Sequence, residues 1–425
     1  MELNYLQNKA FNHILNGKNV FITGPGGTGK TKLILYIIYH FRTELNYKKD
    51  DIAITSTTGT SALLISGTTI HSFAGIGLGN DTVDNLIKKV KSNFFLRRKW
   101  KNVRLLIIDE ISMLSPDIFD KLNKIGQAVR ENKKSFGGIQ LVLSGDFCQL
   151  PVVKSANFCF QAESWDITVR ETICLEEILR QDDLDFQDCL NEIRLGRCSE
   201  STEEMLSSRL NVKLNINGIE PTKLYSKNQI VNKINKDKIK QLIDNGNKKL
   251  IYKSALVHNK IPDRELEYLK KKIDKDCPAI NELLVAVGAQ IIIIKNISIE
   301  NGIVNGSRGI VIDLEPDYIK VKLLSGKEFD IQRASWKIED NNYCITKNQF
   351  PVKLAYALTI HKSQGTSIDY VETNISNTSI FEYGQVYTVL SRCRSLEGLT
   401  LNDFDKEAIK CHPEVKKFYL KFENL

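Results

Sequence analysis

Several things are scarce in this chain of 425 residues, and each scarcity removes a class of protein. Nine cysteines are scattered (Cys148, Cys159, Cys174, Cys189, Cys198, Cys277, Cys344, Cys393, Cys411) with no C-x-x-C pair. The six histidines include no H-E-x-x-H. Neither a structural zinc or iron–sulfur site nor a metalloprotease centre is expected. An odd, unclustered set of thiols suits a reducing, cytosol-like compartment. No apolar run approaches the ~18 residues of a membrane span. The start, Met1-Glu2-Leu3-Asn4, has neither the basic nor the apolar region of a secretory leader. Internal repeats and low-complexity linkers are missing too. The expectation is a soluble intracellular protein of cytoplasm or nucleus.

What is present is ordinary in bulk and specific in detail. Hydrophobic residues make up 42% and charged residues 26%, enough for two to four domains with sizeable cores. The net charge of +8 hints at a polyanionic partner, although AT-rich coding DNA would give the same Lys, Asn and Ile bias. The first half alternates buried-strand patterns with helical ones: Val20–Thr23, Ile52–Thr55, Leu105–Ile108 and Leu141–Ser144. That alternation predicts an α/β fold with a parallel sheet covered on both faces, and chemistry at the carboxyl ends of its strands. A second α/β unit is expected from about residue 180, with strands at Lys223–Tyr225 and Leu354–Leu358. Between them, short strands with Gly turns predict a small inserted β-barrel.

Gly24-Pro25-Gly26-Gly27-Thr28-Gly29-Lys30-Thr31 fits the phosphate-loop pattern G-x-x-x-x-G-K-[ST], and it lies between a strand and a helix, as that motif requires. Glycines let backbone N–H groups turn toward phosphate oxygens, and the helix N-terminus behind them adds positive potential. Lys30 is expected to reach the terminal phosphates and Thr31 to hold Mg²⁺. Leu105–Ile108 ends in Asp109-Glu110. One carboxylate would serve the metal and the next would activate water: Asp109 and Glu110 respectively. After the next strand, Gln149 can both donate and accept, and so can sense a γ-phosphate. Arg180 and Arg392 stand out as guanidinium groups able to spread charge over a transferring phosphoryl group.

These residues, in this order, resemble the Pif-type DNA helicases of superfamily 1B, relatives of the RecD-like enzymes. The likeness spans nearly the whole chain. Leu3-Asn4-Tyr5-Leu6-Gln7 is similar to the family's adenine-reading motif, which implies Gln7 on the base and therefore ATP. Leu175–Gln181 resembles the motif of a first arginine finger, Arg180. Tyr387–Arg394 resembles the last motif, with Arg392 as its finger. Ile118–Gln149, with Ser135-Phe136-Gly137-Gly138, resembles the family's signature segment, with Ser135 and Val152 where prolines are usual. Thr58–Gly77 and Leu358–Gly365 resemble motifs that contact DNA and couple it to ATP.

The resemblance implies two RecA-like P-loop lobes, residues 1–68 with 101–180 and residues 181–255 with 350–425. It further implies a wedge-like insertion at 69–100 and an accessory insertion with a Src-homology-3-like barrel at 256–349. It implies ATP and Mg²⁺ as cofactors, with Gln7, Gly24, Gly26, Gly27, Thr28, Gly29, Lys30, Thr31, Gln364 and Gly365 around the nucleotide. Thr57, Thr58, His71 and Phe73 from the first lobe, and Thr359, His361 and Lys362 from the second, would touch single-stranded DNA. The partners implied are single strands and their junctions with duplex, met by a protein that is monomeric when free. The implied activity is ATP-driven 5′→3′ unwinding in replication, repair or recombination. Lys88–Lys101 interleaves cations with aromatics; it reads equally as a contact to the duplex junction or the strand and as a solvated amphipathic helix with its aromatics in the core.

Overall fold

A computed structural model describes residues 2–152, 157–214, 219–298, 300–340, 343–380 and 382–422; Met1 of the start segment lies outside them. The chain forms two units. One comprises residues 1–179 with 413–425, the other 180–412.

In the first unit six parallel strands, β1 (Val20–Thr23), β2 (Ile52–Ser56), β3 (Thr68–Thr69), β4 (Leu105–Asp109), β5 (Gln140–Ser144) and β6 (Glu171–Cys174), lie in the order β3-β2-β4-β5-β1-β6. Every residue of β1, β2 and β4 is buried. This is why they read as unbroken apolar runs rather than alternating ones. Helices Tyr5–Leu15 and Lys30–Thr43 cover one face, packing Phe11, Ile14, Ile34, Ile37 and Phe41 against Val20, Ile22, Leu105 and Ile107. The other strong helix, Pro116–Arg130, starts where Ser115 accepts a hydrogen bond from Ile118 N and proline occupies the first turn.

The insertion expected at 69–100 contains helices Val83–Ser92 and Phe94–Asn102. They bury Leu86, Val90, Leu96 and Trp100, and expose Phe94 and Phe95. The amphipathic reading therefore holds for the lysine faces, and two aromatics remain outside the core. The signature segment is a tight knot. Phe136 and Gly137 both adopt positive φ, and Phe136 N donates to Asn123 Oδ1 at 2.7 Å. Arg130 Nε donates to Gly137 O at 2.8 Å while its Nη1 holds the carbonyls of Trp100, Lys101 and Val103.

The last helix, Pro413–Leu420, departs from expectation. Residues 350–425 were assigned to the second lobe, yet this helix belongs to the first unit. Its aromatic face explains why. Phe418 stacks on Phe160 at 4.3 Å and meets Phe147, Trp165 and Phe21.

In the second unit, β7 (Thr222–Tyr225) precedes a long antiparallel section. Its strands are β8 (Lys249–Lys253), β9 (Ala255–His258), β10 (Glu282–Ala286), β11 (Gln290–Ile293), β12 (Arg308–Leu314), β13 (Ile319–Leu323), β14 (Glu328–Ile331), β15 (Ala334–Asp340), β16 (Tyr343–Gln349) and β17 (Val352–Leu354). They form a five-stranded sheet β14-β13-β12-β11-β17, a three-stranded sheet β15-β16-β9 and the pair β10-β8. Antiparallel pairing thus runs from Lys249 to Leu354, wider at both ends than the 256–349 expected. The parallel sheet then resumes with β18 (Ala357–Thr359), β19 (Val371–Ile375) and β20 (Leu399–Phe404), ordered β18-β7-β19-β20.

The strand expected over Leu354–Leu358 is in fact two strands in two sheets. At the crossing, the Ala355 carbonyl accepts from Thr222 Oγ1 and from Gln290 Nε2. Arg308 is the other tie. It is buried, and its guanidinium donates to the carbonyls of Tyr370 and Glu220, joining β12 to the ends of the parallel strands. Burial lowers its pKa to about 10.

Candidate nucleotide site and nucleic-acid segments

The phosphate loop leaves β1 at Thr23 and enters the helix Lys30–Thr43 through Gly29. Two of its glycines resist substitution, Gly24 by a backbone clash and Gly29 by its positive φ. A Cβ on Gly24, where φ is +133°, would sit 2.2 Å from Leu175 O, and one on Gly29, where φ is +82°, would sit 2.9 Å from Gln7 Nε2. Gly29 has no side chain to cap the helix, and a helix N-terminus of this kind favours an anion. The Lys30 ammonium lies over the loop, donating to Gly24 O and Pro25 O at 2.8 Å each. Thr31 is exposed in the first turn.

Gln7 is fixed by a capping box with Asn4, and its Nε2 donates to Thr28 O at 3.3 Å. Asn4 Nδ2 donates to Glu177 Oε2 at 2.7 Å, and Leu179 N donates to Gly27 O at 2.9 Å. The segment that follows β6 therefore walls the loop on the Gln7 side.

Sheet order brings the other groups in. β4 and β5 are neighbours, and β5 pairs β1, so Asp109 and Ser144 end beside the start of the loop. Asp109 is buried. Burial raises its pKa, against the Ser144 hydroxyl, the Glu110 N–H and the charge of Lys30. Glu110 N donates to Asp109 Oδ1 at 3.0 Å. Glu110 is one of the non-glycine residues with positive φ, at +53°, a strained conformation of the kind that gathers at functional sites. Gln149 is buried on the turn after β5, its N donating to Asp146 O at 3.1 Å.

A buried carboxylate, a first-turn hydroxyl and an uncapped helix end make a donor set of hard oxygens and N–H groups, which fits Mg²⁺ with a nucleotide polyphosphate.

One residue here was not foreseen. The Tyr419 hydroxyl lies 2.7 Å from Thr23 Oγ1, accepts from Phe147 N at 3.0 Å and donates to Asp146 Oδ1 at 3.2 Å. It props the exits of β1 and β5 together. The apolar face Val415-Phe418-Tyr419 was the available signal that this helix docks somewhere.

In the second unit the two arginines converge on one turn. Arg180 Nη1 donates to Ser391 O, and the buried Arg392 donates to Ser391 Oγ at 2.9 Å and to Thr388 O at 3.1 Å. Gln181 Nε2 donates to Cys393 O at 2.7 Å. Gln364 is buried, and Gly365 is exposed with φ +76°.

The segments expected to touch DNA divide. Thr58, His71 and His361 are half-buried and Lys362 is exposed. His361 Nε2 lies 3.9 Å from Glu382 Oε2. Phe73 departs from expectation: it is 4% exposed and packs its ring against Trp100 at 5.2 Å, leaving no face for a base. Thr359, 3% exposed, is an N-cap whose hydroxyl accepts from Lys362 N at 3.4 Å. Thr57 is half-buried and turned inward, donating to Glu110 O at 2.9 Å.

Residues 2–204 match the PIF1-like helicase family, and residues 267–314 match the DNA helicase Pif1 2B domain. The chain is 38% identical to the ATP-dependent DNA helicase PIF1 of Xenopus laevis, over 97% of this chain and 63% of that protein, so it spans less than two thirds of that relative's length. The Bacteroides Pif1 structure in complex with ADP-AlF4 superposes with a TM-score of 0.83 at 29% identity, covering 100% of this chain and 98% of that one. The Bacteroides Pif1 structure with ADP-AlF3 and single-stranded DNA gives 0.67, at the same identity and coverage. A glutamine-anchored phosphate loop, a strand-end Asp-Glu pair and these matches agree: the chain belongs to the PIF1-like helicase family.

Proposed function

We propose that this protein is an ATP-dependent DNA helicase that moves 5′→3′ on single strands and unwinds duplexes during replication, repair or recombination. The observation that carries the reading is the shared edge of β1, β4 and β5, where phosphate loop, Asp109-Glu110 and Gln149 meet. Gln7 reads adenine. Lys30 leaves its two loop carbonyls for the terminal phosphates. Thr31 and Asp109 would hold Mg²⁺, which neutralises charge on the phosphate oxygens when bound. Glu110 takes the proton of the attacking water, and Gln149 senses the γ-phosphate. Arg180 and Arg392 are the candidate arginine fingers, and Gln364 and Gly365 the candidate nucleotide contacts of the second unit. Thr58, His71, His361 and Lys362 are the candidate DNA contacts, meeting single strands and their junctions with duplex.

The likeness to a protein bound to both a nucleotide analogue and single-stranded DNA supports this reading; polarity rests on family resemblance. The deciding experiment measures ATP hydrolysis with and without single-stranded DNA, together with displacement of duplexes carrying 5′ or 3′ tails. Stimulated hydrolysis and displacement from 5′ tails are expected. Hydrolysis indifferent to DNA removes the motor reading, and displacement from 3′ tails alone removes the polarity.

A further inference from the structure

Three consecutive hydroxyls begin with the last residue of β2, and they do different things. Ser56 Oγ donates to Asp109 O at 3.1 Å. Thr57 Oγ1 donates to Glu110 O at 2.9 Å, while Thr57 N donates to Asp109 O at 3.3 Å. Thr58 caps the helix Gly59–Leu64, accepting from Ser61 N at 3.2 Å. The segment expected to meet the DNA strand is therefore stitched to the backbone of the two acidic residues at the nucleotide site.

The Glu110 backbone is the strained element, at φ +53° and ψ +42°. Its carbonyl is held by Thr57 and by Met113 N, the latter at 3.0 Å within the following turn. Thr57 supplies one restraint from outside that turn. The strain of a left-handed residue and the net worth of one hydrogen bond are of similar size. Two positions of Glu110 can then lie close in free energy, and a modest interaction can move the population between them. Backbone angles at Glu110 set where its carboxylate points, so they set whether water is activated.

Thr57 has one O–H proton. A DNA phosphate offers only acceptors. The proton can therefore serve Glu110 O or a phosphate, but not both. We propose that Thr57 is a positioning residue that restrains Glu110 in the absence of DNA, and that a bound strand releases it when a phosphate oxygen replaces Glu110 O as the acceptor of the Thr57 hydrogen bond. DNA-stimulated hydrolysis then follows from exchange of one hydrogen bond. This inference rests on the DNA-motor reading above.

The test uses Thr57→Val, which keeps the shape and removes the proton, and Thr57→Ser, which keeps the proton. Turnover of ATP is measured without DNA and at saturating oligo-dT, with thermal unfolding as a check on folding. Thr57→Val is expected to raise DNA-free turnover about fivefold and to shrink the stimulated-to-basal ratio by at least as much. Thr57→Ser is expected to restore most of the ratio. Adding Glu110→Gln to Thr57→Val must abolish the raised basal rate. A basal rate in Thr57→Val at or below that of the parent, with the ratio kept, overturns the proposal. If Glu110→Gln alone hydrolyses normally, or the parent ignores DNA, the underlying functional reading fails instead.

Discussion

Both units hold a parallel sheet, but they treat their polar groups differently. In the first, six parallel strands end at one edge, and the candidate residues sit at or beyond it, with Lys30 donating to carbonyls of its own loop and the Glu110 carbonyl accepting from Thr57. In the second, four strands carry no phosphate loop. The conspicuous cations, Arg180 and Arg392, are gathered on the Ser391 turn. One sheet gathers the candidate reaction groups at its edge; the other unit holds two guanidinium groups on a polar turn. A guanidinium held by a carbonyl and a hydroxyl can exchange those partners for phosphate oxygens.

The most severe way to break this contrast is at Glu110. Glu110→Gln should keep nucleotide binding and lose ~10²–10⁴ in turnover, read by nucleotide affinity and phosphate release. Comparable turnover in the variant would mean that the first sheet does not supply the base. Next comes Arg392→Ala, expected to cost ~10³ in turnover while leaving nucleotide affinity within a few-fold. If affinity and turnover fall together, Arg392 binds nucleotide in the ground state and is not stored for the transition state.

Tyr419→Phe tests the prop under the first sheet. It removes a hydroxyl shared by Thr23, Asp146 and Phe147. A loss of about 1–3 kcal/mol of stability is expected, with turnover falling several-fold in protein that remains folded.

The smallest effect concerns the second unit. Burial, with Lys362 and Lys347 nearby and Cys277 partly compensating, lowers the Lys353 pKa to about 8. The group charges less readily folded than unfolded, so the unfolded state binds more protons between about pH 8 and 10.5. Stability should rise as pH climbs through that window. Lys353→Met should raise the melting temperature at pH 7 and flatten the rise; an unchanged profile would mean the amine reaches water.

The two sheets were not equally legible in the sequence. Lys30, Asp109 and Glu110 could be sought at one edge because the phosphate loop and the Asp-Glu pair each follow an apolar strand pattern, and strand ends in a parallel sheet share an edge. The inward turn of Thr57 could not be read, because it depends on a positive φ at Glu110 that no residue type announces. Phe73 is expected to touch DNA from its motif, yet it is buried against Trp100, which the insertion folds back onto it. The second sheet was misjudged at Leu354–Leu358, where apolar residues continue across a change of sheet. The last helix was assigned by chain order, yet its tyrosine meets a partner 396 residues away.

That last contact has a consequence for biosynthesis. The first unit is closed by the helix Pro413–Leu420, which a ribosome makes only after the second unit. While the strands that carry the phosphate loop emerge early, Phe147 and Trp165 still lack Phe418, and Thr23 still lacks Tyr419. The nascent chain must carry an unfinished nucleotide lobe through the synthesis of the entire second unit. Its final closure waits until the second unit has been made.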